Sequence, residues 1–550
     1  MTRMGTIIRL HIHSPTTKNE MGNPTFPLLS ILSILLLYFS VSWAASDSIH
    51  ESFLHCLSLQ SDPSLPISTV VYTPNSSSYS SIFESNIGNI RFLSANSLKP
   101  QFIITPLTES HVQAAVICSR IHDLQIRSRS GGHDYEGLSY VSEIPFVIVD
   151  MANLRSIHVD IEDNSAWVQA DATIGEVYYK IAEKSRIHGF PSGFCPSVAA
   201  AGHFSGGGYG TLMRKFGLSA DNIVDAYLVD VRGRILNRES MGEDLFWAIR
   251  GGGGASYGII LSWKIRLVPV PPTVTVFTVS KTIEEGATEL VNRWQYIADK
   301  VHEDLFIRVI LILVNSGQSG RKTGQAQFNS LFLGGVDKLL PLMNESFPEL
   351  GLKRSDCIEM SWIESTVYFS GSSNLSLEVL LDRRPQSKRM FKAKSDYVKE
   401  PIPEIGIMGI WKRFHQVEDP VMILNPYGGR MSEIAESAIP FPHRKGNKYK
   451  IQYLVYWEEK GIEASQKHIG WIRNLYSYMT PYVSKSPREA YLNYRDLDLG
   501  TNNIGNTSYL QASVWGHKYF KNNFQRLIDV KTKVDPSNFF RNEQSIPVKE

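Results

Sequence analysis

From Lys99 onward the chain alternates short apolar runs with amphipathic ones. Phe102-Ile-Ile-Thr105 reads as a strand closed by Pro106, and Thr108-Glu109-Ser110 opens a helix that runs to about His122. A second strand at Leu124–Arg127 runs into the turn Ser130-Gly131-Gly132. Phe146–Asp150 and Ala166–Gln169 are further strands, followed by a helix from about Ile174 to Lys184. This alternation predicts a layered α/β or α+β architecture. A proline-rich break at Pro269-Val-Pro271-Pro272 marks a boundary. Beyond it, Val274–Val279 and Leu305–Val314 predict an antiparallel sheet covered on one face by helices. The last sixty residues, with one helical stretch near His517 to Asp529, read as a segment returning to the first domain. The fold class expected is α+β, with domains at 46–272 and 273–480 and the return segment at 481–550.

The first 45 residues are not expected to belong to the fold. Arg3, Arg9 and Lys18 precede an apolar run from Leu28 to Val41, too short to span a bilayer, that ends in Ser42-Trp43-Ala44-Ala45. This is the text of a signal peptide, with Met21 as its more usual start and the first twenty residues as an extension. Secretion to the extracellular space (apoplast) or delivery to the vacuole follows. Four Asn-x-Ser/Thr sequons, at Asn75, Asn344, Asn374 and Asn506, agree with glycosylation along that route. The four cysteines, Cys56, Cys118, Cys195 and Cys357, are expected to form at least one disulfide there, and the sequence alone allows several pairings.

Charge narrows the partners. The 56 basic and 54 acidic residues leave a net charge of +2, with no cation excess for neutralising nucleic-acid phosphates. No later segment resembles a membrane span. Neither a nucleic acid nor a membrane is expected as a partner, and the chain is expected to act as a monomer. Aromatic residues make up 11%, including 24 tyrosines, a supply suited to stacking on a flat ligand.

Three glycine clusters carry the chemistry. Arg127-Ser-Arg-Ser-Gly131-Gly132-His133-Asp134-Tyr135 directly follows a strand, and successive amide N–H groups in such a turn form an anion site suited to a pyrophosphate. Gly202-His203-Phe204-Ser205-Gly206-Gly207-Gly208-Tyr209-Gly210 lets the backbone approach a planar ring or phosphate closely. Arg250-Gly251-Gly252-Gly253-Gly254 is the third. None has the Rossmann arrangement of strand, Gly-x-Gly-x-x-Gly and ribose-binding acid. Together they point to a nucleotide cofactor held in another way.

Ser130-Gly-Gly-His-Asp-Tyr-Glu-Gly-Leu-Ser139 and Gly193-Phe-Cys-Pro-Ser-Val-Ala-Ala-Ala-Gly-His-Phe-Ser-Gly-Gly-Gly-Tyr-Gly210 closely resemble the plant berberine-bridge-enzyme-like flavoproteins. The resemblance continues through Asn425-Pro-Tyr-Gly-Gly429, Phe441-Pro-His-Arg444, Asn493–Gly500 and Asn538–Ser545, and so covers essentially the whole mature chain. It implies a vanillyl-alcohol-oxidase (PCMH)-type FAD-binding domain with a separate substrate domain over the isoalloxazine. It implies FAD joined covalently through His133, at the flavin 8α carbon, and Cys195, at C6. Arg129, Ser130, Gly131, Gly132, Gly207 and Tyr209 become cofactor contacts, and His203 a donor or imidazolium beside flavin N1–C2=O. Val198 stands where the family sets oxygen access, and its size resembles the oxidases. Ala199-Ala200-Ala201 departs from the glycines many relatives carry. Cys56 and Cys118 match the family's disulfide, which leaves Cys357 as a buried free thiol.

For catalysis the resemblance implies Tyr494 as general base. A phenol titrating near 10 is a poor base at neutral pH unless a cation favours the phenolate, and Lys450 is the candidate cation. Lys450 and Gln452 alternate on a strand, so both point to the same face and are expected to face the flavin. The alkaloid bridge-forming members carry Glu at the Gln452 position, so reticuline-type chemistry is not expected. The expected activity is oxidation of an alcohol-bearing small molecule, a sugar or an aromatic allylic alcohol, with O2 reduced to H2O2. Tyr135, Tyr209 and Tyr491 are candidate pocket walls. The alternatives are an oxidative or Diels–Alder-type cyclase acting on prenylated phenols, and a non-catalytic binding protein.

Overall fold

The computed structural model describes residues 50–93, 97–317, 320–372, 376–385, 388–503 and 507–549. The expected signal peptide, Asn374 and Asn506 lie outside these residues. Contacts divide the chain into two units, residues 1–55 and 56–550, and every feature described below belongs to the second.

The sequence between Val71 and Asp150 builds a four-stranded sheet in the order Val71–Tyr72, Phe102–Ile104, Phe146–Asp150, Gln125–Arg129. The last three strands are parallel, because the amphipathic helix Glu109–Ile121 carries the chain back between two of them. The strand Phe146–Asp150 is buried along its whole length, as its unbroken apolar text requires. Next comes a five-stranded antiparallel sheet, Ile157–Asp160, Ser165–Gln169, Ile259–Arg266, Ile223–Val229 and Ile235–Leu236. The helix Ile174–Lys184 packs in the same core, its start fixed by a capping box between Thr173 and Glu176.

Past the proline break, seven antiparallel strands form one sheet in the order Cys357–Met360, Val274–Thr282, Lys322–Phe332, Leu305–Asn315, Pro420–Pro426, Tyr449–Trp457, Met390–Val398. The helices Ala287–Ile297, Glu404–Phe414 and Ile462–Tyr478 cover one face, and their apolar stripes share a core with Val309, Leu311, Leu424, Ile451 and Tyr453. Side chains on a strand alternate in direction, so Arg308, Ile423, Asn425, Lys450 and Gln452 are left on the other face.

The C-terminal segment packs away from that core. Ala490, Leu492, Trp515, Tyr519, Phe524 and Leu527 share a cluster with Val168, Phe204, Ala226 and Trp263. The helical stretch expected near 517–529 is two helices, Tyr509–Phe520 and Asn523–Val534, broken at Lys521, where φ is +48°. The break folds Phe524 back onto Gly516, where an added Cβ would stand 2.3 Å from its ring. Packing of that aromatic decides the boundary, which an amphipathic pattern alone does not show.

Cys56 and Cys118 form the disulfide that the resemblance implied. Cys357 is not buried as expected. It lies half-exposed on the edge strand, its thiol 3.5 Å from the Lys353 carbonyl. Asn75 and Asn344 are both exposed. Among the described residues no helix is long and apolar enough to cross a membrane.

Candidate functional site

A cavity of about 590 Å³ opens where the glycine-rich turns meet the uncovered face of the seven-stranded sheet. Backbone from Ser130, Gly131, Gly132, Gly202, Gly206, Gly253 and Gly254 lines one end. These turns approach their neighbours too closely for side chains: at Gly132, with φ +67°, a Cβ would fall 1.6 Å from the Asn86 carbonyl oxygen. A Cβ on Gly202, by contrast, would project into open space within the cavity wall.

His133 and Cys195 face the cavity from different turns, and Ser197 joins them. Its hydroxyl lies 3.2 Å from His133 Nε2 and 3.5 Å from Cys195 Sγ. Burial pulls the His133 imidazole down to about 4, so the ring is neutral at physiological pH. Burial raises the Cys195 thiol, partly offset by the hydrogen bond from Ser197. His203 also lines the cavity. Burial first, then the charge of Lys450, brings its imidazole down to about 3. The imidazolium considered above is therefore replaced by a neutral ring, and its buried Nε2 has no protein partner. A buried neutral imidazole with an unpartnered ring nitrogen, a glycine-lined cradle, and a His–Cys pair held together fit a flavin dinucleotide.

Some expected cofactor contacts differ. The Arg129 guanidinium is fully buried and consumed elsewhere, paired with Asp150 and donating to the Phe83 and Ile82 carbonyls at 2.7 and 2.8 Å. The residue itself still lines the cavity. Gly207 does not line it: with φ +122° it turns the chain beneath Phe441 and Leu218. Val198 does line it, as do Tyr135, Tyr209, Tyr491, Gln452 and Tyr494.

At the other end the tyrosines form a cage. The hydroxyls of Tyr209 and Tyr494 share a short hydrogen bond, and Asn425 Nδ2 donates to Tyr209 at 3.2 Å. Tyr491 accepts from the Gly208 amide at 3.0 Å and from Asn493 at 2.9 Å. Gln452 donates to the Tyr135 hydroxyl at 2.6 Å, and the Tyr135 and Tyr494 rings stack 5.4 Å apart. Lys450 shares the strand face of Gln452 but does not line the cavity. Its Nζ sits behind the rings, 3.3, 3.8 and 4.5 Å from the centroids of Tyr209, Tyr491 and Tyr494, with no hydrogen-bond partner. Burial pushes the ammonium well below its usual value, and these π faces are what it has in compensation.

Burial raises both phenols, and their surroundings separate them. Tyr494 is driven well above 10, with Tyr209 and Tyr135 adding to the effect. Tyr209 rises only to about 12, because the bonds from Tyr494 and Asn425 and the charge of Arg308 favour its phenolate. Negative charge in the pair is best placed on Tyr209.

Sequence reasoning missed Ser197, Asn425 and Arg308 as site residues. Arg308 had a signal, a single cation inside the apolar run Leu305–Val314. Ser197 and Asn425 had none beyond the motifs around them, since their partners lie 64 and 216 residues away.

Residues 100–238 match the model of the FAD binding domain family, and residues 490–547 match the berberine and berberine-like family. The chain is 60% identical over 534 residues to a tetrahydroberberine oxidase of Berberis wilsoniae, covering 96% of this chain and 99% of the relative. It is 52% identical over 533 residues to a monolignol oxidoreductase of Arabidopsis thaliana, covering 96% and 98%. Among solved structures, wild-type Phl p 4, a glucose dehydrogenase from grass pollen, superposes with a TM-score of 0.85 at 45% identity, over 90% of this chain and 99% of that one. A Phl p 4 variant with one isoleucine replaced by valine is a glucose oxidase.

Proposed function

Because the chain belongs to the berberine-bridge-enzyme-like family of FAD-dependent oxidoreductases, we propose that it is a secreted oxidase of aromatic allylic or benzylic alcohols. The observation that carries this reading is the Tyr209–Tyr494 pair, bonded to Asn425 and backed by Lys450, set into a wall of aromatic rings. Such a wall suits a flat ring, and the pair supplies a proton acceptor for a hydroxyl bound against it.

Tyr209 is the base and Tyr494 the donor that stabilises its phenolate, a shift from the expectation that placed Tyr494 in that role. Lys450 beneath the Tyr209 ring strengthens its own charge as the phenolate forms, so proton uptake and cation–π stabilisation reinforce each other. Gln452 fixes Tyr135, which stacks on Tyr494 and holds the far side of the substrate ring.

FAD, when bound, supplies the two-electron acceptor for the carbinol C–H bond and passes the electrons to dioxygen, yielding hydrogen peroxide. His133 and Cys195 would hold it covalently and His203 Nε2 would donate to its pyrimidine edge. The small side chain of Val198, which lines the cavity, would leave oxygen a path.

A second reading has one observation in its favour, the 60% identity to a tetrahydroberberine oxidase, which points to a cyclic benzylic amine as substrate. The two separate in a turnover assay with coniferyl alcohol, tetrahydroberberine and glucose. One peroxide and one aldehyde per coniferyl alcohol support the alcohol reading. Turnover confined to the amine selects the second, and turnover of glucose alone overturns both.

A further inference from the structure

We propose that Lys392 is a positioning residue for the tyrosine pair, bridging Glu136 and Asp496 so that Tyr494 is held in place to donate to Tyr209. This rests on the base and donor roles assigned in the reading above.

Lys392 lies on Met390–Val398, the last strand of the seven-stranded sheet. It stands opposite Val455, a residue of the helix-covered core, so its side chain leaves the face away from the cavity and does not line it. Its ammonium donates to Asp496 Oδ1 at 2.8 Å and makes a short bond to Glu136 Oε1. All three side chains are at most 5% exposed. Burial works against the ammonium, and the charges of Asp496, Glu136 and Asp498 more than offset it, so Lys392 stays a cation.

The two carboxylates belong to the segments that carry the stacked rings. Glu136 directly follows Tyr135, and Asp496 is two residues past Tyr494. One buried ammonium therefore joins the two backbones beneath the 5.4 Å stack. The strand is fastened at the same place, where Asn89 Nδ2 donates to the Tyr135 carbonyl at 3.1 Å and to the Phe391 carbonyl at 3.0 Å. Each carboxylate keeps another cation if Lys392 is removed, Arg91 for Glu136 at 2.8 Å and Lys394 for Asp496 at 2.5 Å. Of these three cations only Lys392 touches both carboxylates. Arg495 and Asp134 join the same segments through a longer, more exposed contact at 3.3 Å. Without the buried bridge the Tyr494 hydroxyl slips from its alignment with Tyr209, and a hydrogen bond weakens steeply with misalignment.

The rate of anaerobic flavin reduction by saturating coniferyl alcohol is compared in Lys392→Met, Tyr494→Phe and the double variant. Lys392→Met is expected to slow reduction about tenfold, the worth of one hydrogen bond to a phenolate, with substrate affinity within about twofold of wild type. In the Tyr494→Phe background the same change should cost less than about twofold, because the donor it positions is gone. Lys394→Met removes an equally buried cation that does not touch Glu136, and it should cost clearly less than Lys392→Met. Lys392→Arg, which keeps the charge, should restore part of the rate. Hydrogen–deuterium exchange of Lys392→Met should quicken only in peptides around 134–137 and 491–497. Additive losses in the double variant, or equal losses in Lys392→Met and Lys394→Met, overturn the proposal. So does exchange that is unchanged in those peptides or faster throughout the chain. Failure of the alcohol reading shows separately, as a wild-type flavin that coniferyl alcohol does not bleach, and the exchange pattern then decides the bridge.

Discussion

Tyr209 and Tyr494 share one hydrogen bond, yet the roles proposed for them differ because only Tyr209 receives a second donor, from Asn425. Tyr209→Phe should lower kcat by about 10² or more, the usual worth of a positioned base. Tyr494→Phe should cost less, because it removes a donor to the phenolate and leaves the acceptor. Steady-state rates on an aromatic allylic alcohol compare the two. Burial holds the Tyr209 phenol up at about 12, so the deprotonated form is scarce at neutral pH and grows as pH rises. In the free enzyme kcat/KM should climb with pH through the neutral and alkaline range, and a plateau already reached at neutral pH would contradict the assignment. Val198 belongs to the same scale. Val198→Ile should leave anaerobic substrate oxidation at its wild-type rate and slow only reoxidation by dioxygen, a split that stopped-flow absorbance resolves.

At the scale of elements, the strand Tyr449–Trp457 shows how a two-residue period makes both a core and a site. Tyr449, Ile451, Tyr453 and Val455 enter the helix-covered core, while Gln452, Leu454 and Tyr456 line the cavity. That much was legible, because alternation is local. The sequence did not show that Lys450 lies behind rings contributed by two other segments. The glycine turns were legible for a similar reason, since each is contiguous, and the single helix expected near 517–529 failed because Phe524 and Gly516 decide the break. Another tertiary tie holds the C-terminal segment. Glu489 accepts from His443 Nδ1 at 2.7 Å and pairs with Lys399, both carboxylate and imidazole being buried. These partners overcome burial and lower Glu489 from about 4.5 to about 2. A depressed carboxylate contributes stability above its unfolded value and loses it as pH falls through the folded one. The shift corresponds to about 3 kcal/mol. Melting temperatures of Glu489→Gln should fall below wild type at neutral pH, and the gap should narrow between about pH 4.5 and 2.

For the whole molecule, the cavity is assembled from glycine turns early in the chain, strands of the central sheet and residues 491–495 and 540–542 near the end. A cofactor held through His133 and Cys195, as proposed, would join two of these turns, 62 positions apart in sequence. His133→Ala with Cys195→Ala should release all flavin into the supernatant on acid denaturation, whereas each single variant retains it on the protein. Flavin still attached to the double variant would remove the covalent assignment. The central claim, that this constellation oxidises its substrate and does not merely bind or cyclise it, is met most directly by anaerobic titration with an aromatic allylic alcohol. The account predicts that the flavin band bleaches with one equivalent of aldehyde formed, and that it recovers on admitting oxygen. Many turnovers of product with the band still oxidised and no oxygen present would contradict it.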